Sequence, residues 1–280
     1  MARTDKSVHP VHPVQALRGA ITALEAAVLL CLAKPGKTAV HRLRASTRRI
    51  EAQLELLEML PAIPPHARES QKARRLLKKL RRTAGRVRDF DVQRDLIREE
   101  ASKAGGNDLR ALRAAVRGLR AELGRRREEE AAHLVLLLHK YEARLPGVFE
   151  ALLNVLAPAE SVALGEPQLI ALIREWYRRR DGLAPPAEVP KDIEELHGVR
   201  KRAKIARYLA ESAPPCATAA HRLASRYEVL QQNGGRWHDW LELTKIASDE
   251  LGESAKLPRR FATRTERALR TFKRHLRYRI

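Results

Sequence analysis

His41, Arg44, Arg48 and Arg49 lie close together in the segment AVHRLRASTRRIEAQLELLE (39–58), which carries four arginines and no acid before Glu51. A guanidinium presents forked donors that match the geometry of oxyanions, and a histidine donates one hydrogen bond even when neutral. Residues of these types at this spacing point to anion binding. With about 100° per residue, a helix places His41, Arg44, Arg48 and Ala52 in one sector. Leu43, Thr47, Ile50, Leu54 and Leu57 occupy the opposite sector and are the candidate core. The basic wall is expected to end at Glu51.

The pattern recurs. VHRLRASTRRIEAQL (40–54) matches LHGVRKRAKIARYL (196–209), with His41 on His197, Arg44 on Arg200 and Arg48 on Lys204. In the second copy His197, Arg200, Lys201, Lys204, Arg207 and Tyr208 cluster, opposite Leu196, Val199, Ala203, Ala206 and Ala210. Downstream, LRRTAGRVRDFDV (80–92) matches LQQNGGRWHDWLE (230–242), which pairs Gly85 with Gly235 and Asp89 with Asp239. Two paired motifs in the same order predict an internal duplication. Around the first glycine, Arg75, Lys79, Arg82 and Arg86 form another basic stripe, opposite Ala73, Leu77, Leu80 and Ala84. Like charges at this spacing repel one another, and a linear polyanion would offset the cost. Asp89 and Asp239 follow glycine-bearing turns, so each reads as a helix N-cap, a role compatible with orienting an arginine such as Arg88.

The elements that must position these groups are helices. Ala, Leu, Arg and Glu dominate the 280 residues, and 44% are hydrophobic. Periodicity predicts helices at about 14–33, 38–60, 67–84, 90–103, 107–143, 147–157, 167–180, 191–211, 217–233, 238–251 and 257–278. Turn chemistry separates them at KPGK (34–37), PAIPP (61–65), AGGN (104–107) and APPAEVP (184–190). The fold class expected is all-α: two pseudo-symmetric bundles of about four long helices each, around a basic central surface or pore. Residues 1–157 would form the first half and 166–280 the second.

The formal net charge of +21, from 55 Lys+Arg against 34 Asp+Glu, exceeds what solubility requires and calls for an anionic partner. Cys31 and Cys216 make no disulfide framework, which suits a reducing, cytoplasmic setting. Cys31 reads as a buried small hydrophobe. The N-terminus lacks an apolar signal region, and the most apolar stretch, 20–33, contains Glu25 and is too short to span a bilayer. No membrane insertion is expected, and no aromatic-anchored apolar face suits a membrane surface.

The carriers HRLRASTRR, GRVRDFDV and HGVRKRAKIARY, with a weaker GGRWHDW, together resemble the CHAD family, the conserved histidine α-helical domain. The resemblance covers nearly the whole chain. It implies two similar helical bundles whose basic central surface binds inorganic polyphosphate, with some members associated with polyphosphate granules. By position it assigns His41, Arg44, Arg48, Arg49, His197, Arg200, Lys204, Arg207 and Tyr208 to the family's basic motif, and Arg88 and Asp89 to its Arg-Asp element. Glu51 stands where the family usually has arginine, and Ile205 where a second basic residue is common. His238 and Trp240 replace the arginine and apolar residue of the second Arg-Asp element. The resemblance is to a free-standing member of the family, without the triphosphate-handling domain often fused to it.

Enzyme chemistry is disfavoured. HExxH, a P-loop, CxxC and a dense carboxylate set are all missing, and a metal among so many arginines would be repelled. No cofactor, metal or catalytic residue is assigned. Nucleic-acid binding is the alternative that the charge permits, but aromatics are 4% of residues and are not interleaved with the basic stripes.

Overall fold

The computed structural model describes residues 10–102, 109–179 and 192–276. Within them the chain forms α1 (Pro13–Ala33), α2 (Lys37–Glu58), α3 (Ala67–Ser102), α4 (Leu109–Glu142), α5 (Leu145–Leu156), a 3₁₀ turn (Ala157–Ala159), α6 (Glu166–Arg179), α7 (Ile193–Ala210), α8 (Thr218–Leu251) and α9 (Lys256–Leu276). No strand forms among the described residues. An isolated bridge pairs Val11 with Leu164 through hydrogen bonds of 2.9 and 2.8 Å.

Helix limits follow local chemistry. Pro13 opens α1 with a ring that presets the helical φ and lacks only an N–H that would be unpaired anyway. Asp192 caps α7 by accepting the Glu194 backbone N–H at 3.2 Å. Gly252, at φ +82°, ends α8 in a conformation that side-chain-bearing residues rarely adopt. The breaks expected at 104–107 and 184–190 fall largely or wholly outside the described residues.

The glycine turns expected between 84 and 90 and between 233 and 238 do not form. α3 runs unbroken through Gly85, and α8 through Gly234 and Gly235. Gly85 and Gly234 serve close packing instead, whereas Gly235, the counterpart of Gly85 in the sequence match, has no neighbour within 4 Å of where a Cβ would stand. A Cβ on Gly85 would lie 2.5 Å from Arg44 Nη1, and one on Gly234 would lie 2.8 Å from the Phe272 ring and 3.2 Å from Arg200 Cγ. A helical glycine costs about 1 kcal/mol relative to alanine, and here that cost admits a neighbour. Asp89 and Asp239 consequently sit in mid-helix, where no orphan N–H awaits a cap.

Three apolar clusters hold the helices. The first joins α1 to α5, and Leu43, Ile50, Leu54 and Leu57 of α2 point into it. The second joins α6 to α9 and takes in Ala52 and Leu56 of the same α2, together with Val11. α2 is therefore buried on two sides, and Ala52 belongs to packing rather than to the basic sector. The third crosses the halves: Leu96, Ile97, Val116, Leu119 and Leu123 pack on Trp240, Leu243, Ala247, Leu257 and Phe261. α1 proves longer than the 20–33 stretch. Its 21 residues are long and apolar enough to cross a membrane by length and composition, and nine of them are buried, Cys31 included.

Candidate functional site

α2 packs against α7, with α3 and α8 flanking the pair. One helical turn separates Arg44 from Arg48 on α2 and Arg200 from Lys204 on α7, so each helix presents two cations on one face. α3 adds Arg81 and Arg88. These groups feel one another. Burial, followed by the charges of Arg48, Arg200, Arg44 and Arg88, drives the Lys204 ammonium well below its ordinary value. Burial also pulls Arg44 down to about 10, with Arg88, Arg48 and Arg81 repelling it and Asp89 partly compensating. Among the described residues, Arg44, Arg49, Arg200 and Lys204 have no carboxylate within ion-pair distance.

Sparse acids and backbone oxygens fix the frame. Arg44 Nη1 donates to the Arg81 carbonyl at 3.2 Å, across the gap that Gly85 leaves. Asp239 accepts both Nη groups of Arg88, at 2.8 and 3.2 Å, and Asp89 accepts Nη1 at 3.2 Å. That bidentate bond ties α3 to α8, so both aspartates pair with Arg88 from mid-helix positions that need no cap. Glu51 receives Arg48 at 3.2 Å and Arg81 at 2.9 Å. It is thus a counterion inside the cluster rather than the end of the wall. Arg207 is held by Glu211 at 2.6 Å and Glu228 at 3.1 Å. The guanidiniums of Arg49 and Arg207 lie 5.5 and 5.3 Å from the Tyr208 ring centroid. Tyr208 is 8% exposed, so it links α2 to α7 through cation–π contacts rather than presenting its hydroxyl at the surface.

Three histidines at the site are shifted toward the neutral form. Partial desolvation, then the fields of Arg88, Arg44, Arg49 and Arg207, hold His41 below its ordinary value at the exposed rim. His197 is lowered by burial and by Arg200, Lys201 and Lys245, with Glu242 opposing. Its ring stacks on Trp237 at 4.9 Å and meets His238 edge-on at 4.8 Å. Burial, then Arg200, His197, Arg88 and Lys245, push His238 down to about 3.

The other candidates lie elsewhere. Lys201 is exposed on α7. The α3 stripe of Arg75, Lys79, Arg82 and Arg86 is turned away from α2. Lys79 lies over the Tyr141 ring of α4 at 5.9 Å, and Arg86 pairs with Glu130 of α4 at 3.1 Å. The α3 residues at the centre are instead Arg81 and Arg88, two helical turns apart. Sequence reasoning missed Arg81, although its seven-residue spacing from Arg88 put both on one face. Ile205 is buried in the second core, so the basic surface does not continue there.

Among the described residues no group of three or more His, Cys, Asp or Glu side chains is placed to hold a metal ion. What the cluster offers is a set of preoriented donors and uncompensated positive charge drawn from both halves of the chain. This suits an extended, multiply charged oxyanion.

Comparison with known proteins agrees with this architecture. The family model for the CHAD domain matches residues 15–248. No curated protein matches the chain. Among solved structures, PptA from Streptomyces chartreusis superposes with a TM-score of 0.59 at 17% identity, covering 96% of this chain and 100% of that one. At that identity the likeness is one of fold.

Proposed function

The chain belongs to the CHAD domain family, and from that membership we propose that it binds inorganic polyphosphate on the cluster built by α2, α3, α7 and α8. The family is associated with polyphosphate binding. The observation that carries the reading is Lys204, which lies amid Arg44, Arg48, Arg88 and Arg200 without a carboxylate of its own. Such a group is unfavourable in the free protein and becomes favourable when successive phosphates supply the missing negative charge. His41 and Arg49 extend the surface at its rim, and His197, Arg200 and Lys204 form the second copy of a duplicated wall. Lys201, Arg75, Lys79, Arg82 and Arg86 would then collect outlying parts of a long chain. The role is holding the polyanion rather than transforming it, in the cytoplasm and at polyphosphate granules.

Nucleic acid suits the site less well, because base recognition in single strands relies on exposed aromatic faces. Trp176, Trp237 and Trp240 are 6%, 1% and 2% exposed, so none offers one. Polyphosphate has no bases to stack.

The test is a binding titration with polyphosphate of defined length over a salt series. The wild type is compared with His41→Ala/Arg44→Ala/Arg48→Ala. Expected are a loss of at least about tenfold in affinity and a salt slope shallower by roughly 1 to 2. An unchanged affinity and slope in the triple variant would remove the central claim.

A further inference from the structure

α9 carries eight lysines and arginines and a single acid, Glu266, yet the central cluster uses none of them. Leu257, Pro258, Phe261 and Phe272 bury one side of the helix, and the cations line the other. Part of that charge is spoken for. Arg260 and Arg264 close on the buried Glu100 at 2.9 and 2.6 Å, and Arg236 of α8 pairs with Glu99 at 2.8 Å. Arg267 and Arg274 are exposed and have no acidic partner among the described residues, and Arg270 reaches Glu266 only at 3.9 Å.

Part of this surface is concave, and Arg267 lies within the concave part. A cavity of about 210 Å³ opens between α8 and α9, lined by Asn233, Arg236, Trp240, Arg264, Arg267 and Thr271. A second, more open hollow of about 360 Å³ adjoins it along α9 alone, sharing Arg267 and Thr271 and adding Arg270 and Arg274. Among the described residues neither has a carboxylate in its wall. From Arg267 to Arg274 is two helical turns, about 10 Å along the axis, so the guanidiniums repeat along the groove. Like charges at three- and four-residue spacing destabilise a helix, and no acid across the groove relieves Arg267 or Arg274.

We infer that the α8–α9 groove is a second anion site, which takes a short run of condensed phosphate. The ligand class rests on the polyphosphate reading above; the groove's geometry does not. Arg236 and Arg264, held in place by Glu99 and Glu100, form the fixed end. Arg267, Arg270 and Arg274 form the open end, where a chain enters and leaves. Trp240 packs beneath Phe261 at 5.6 Å and gives a base no face to stack on, which favours a phosphate chain over a nucleic acid strand. Two sites on one chain let a long polyphosphate be gripped twice, so avidity raises its affinity above that of short ones.

Calorimetric titration of the full chain with tripolyphosphate at low salt tests this. The expected stoichiometry is about two per chain for the wild type and about one for Arg267→Ala/Arg274→Ala. The same variant should bind long polyphosphate about tenfold more weakly, with a salt slope shallower by roughly 1 to 2. Arg267→Lys/Arg274→Lys should recover part of the loss. Both arginines are exposed and without an acidic partner among the described residues, so melting temperatures should be unchanged or slightly raised as the like-charge repulsion is relieved. Unaltered stoichiometry and long-chain affinity in the alanine variant would overturn the groove while leaving the central cluster intact. The reverse pattern, loss in the α9 variant with none in His41→Ala/Arg44→Ala/Arg48→Ala, would uphold the groove and remove the central reading. Displacement of tripolyphosphate from the groove by single-stranded DNA at comparable charge concentration would overturn the assigned ligand class.

Discussion

Arginine does two different jobs in this molecule, and the contrast between the Glu100 clasp and the α2–α7 cluster separates them. At the clasp, a carboxylate whose side chain is 5% exposed takes the guanidiniums of Arg260 and Arg264, fastening α9 to α3 beside the third apolar core. Two guanidiniums share one buried carboxylate there, and the contact is structural. At the cluster, Arg44, Arg200 and Lys204 converge without a matching acid, and the few carboxylates present serve Arg48, Arg81 and Arg88. The difference teaches that a net charge of +21 does not mark a site by itself. Local mismatch does. Where acids balance the arginines the fold is being held, and where they do not the surface awaits an anion.

The contrast can be broken from either side. Glu100→Ala leaves two converging guanidiniums without their acid. It should destabilise the protein by about 3 kcal/mol, the low end for breaking a buried pair because both arginines keep some water. Denaturant melts check this, and in an Arg267→Ala/Arg274→Ala background, where only the α2–α7 cluster reports, Glu100→Ala should leave polyphosphate affinity and salt slope unchanged. Arg200→Glu does the opposite. It places an acid where the cluster has none, should lower polyphosphate affinity on the order of a hundredfold, and should leave stability unchanged or raised because repulsion around Lys204 is relieved. Should Glu100→Ala weaken binding as strongly as Arg200→Glu, the two arginine groups would be one site and the distinction would fail.

Much of the cluster is written locally. The periodicity of 40–54 and 196–209 separates Leu43, Ile50, Leu196 and Val199, which are buried, from His41, Arg44, Arg200 and Lys204, which face the shared surface. Three features escape local reading. Gly85 and Gly234 look like helix breaks, because the reason for a glycine in mid-helix is a neighbour brought by tertiary packing: Arg44 in one case, Phe272 and Arg200 in the other. Asp89 and Asp239 look like caps for the same reason, once a break is assumed. The α3 stripe from Arg75 to Arg86 looks like a binding face because sequence alone cannot say which helix covers which side. α4 comes to lie beside Lys79 and Arg86, and Arg81 and Arg88 turn inward.

The two glycines sharpen the comparison at smaller magnitude. In Gly234→Ala the new Cβ meets a packed aromatic ring at 2.8 Å, and that ring is fixed between helices against Trp237. Overpacking should cost about 1–3 kcal/mol in thermal or denaturant melts, with the cluster's affinity falling only as far as Arg200 is displaced. In Gly85→Ala the obstacle is the tip of the Arg44 side chain, which can swing away. Stability should change by less than about 1 kcal/mol, since the gain in helix propensity offsets the lost hydrogen bond to the Arg81 carbonyl. Polyphosphate affinity should fall about threefold to tenfold because Arg44 no longer points with its neighbours. A Gly85→Ala protein that melts early yet binds normally would mean that Arg44 belongs to the structural class.

The histidines give the smallest effects and the finest division between holding and binding. His238 has a folded-state value of about 3 against an ordinary 6.5, so below about pH 6.5 the unfolded chain takes up a proton that the folded chain refuses. Stability therefore falls as pH drops from about 6.5 toward 3, and His238→Gln should flatten that decline between pH 7 and 5, where few carboxylates titrate. His41 differs in place. It is also lowered, by desolvation and by Arg88, Arg44, Arg49 and Arg207, but it stands exposed at the rim, where an arriving phosphate reverses the local field. Binding then raises its value, so affinity strengthens as pH falls through the histidine range, by at most a few fold. Affinities measured from pH 8.5 to 6 should rise in the wild type and in His238→Gln and stay level in His41→Ala. A flat wild-type profile would leave the arginines in place and strip the histidine of its part in binding.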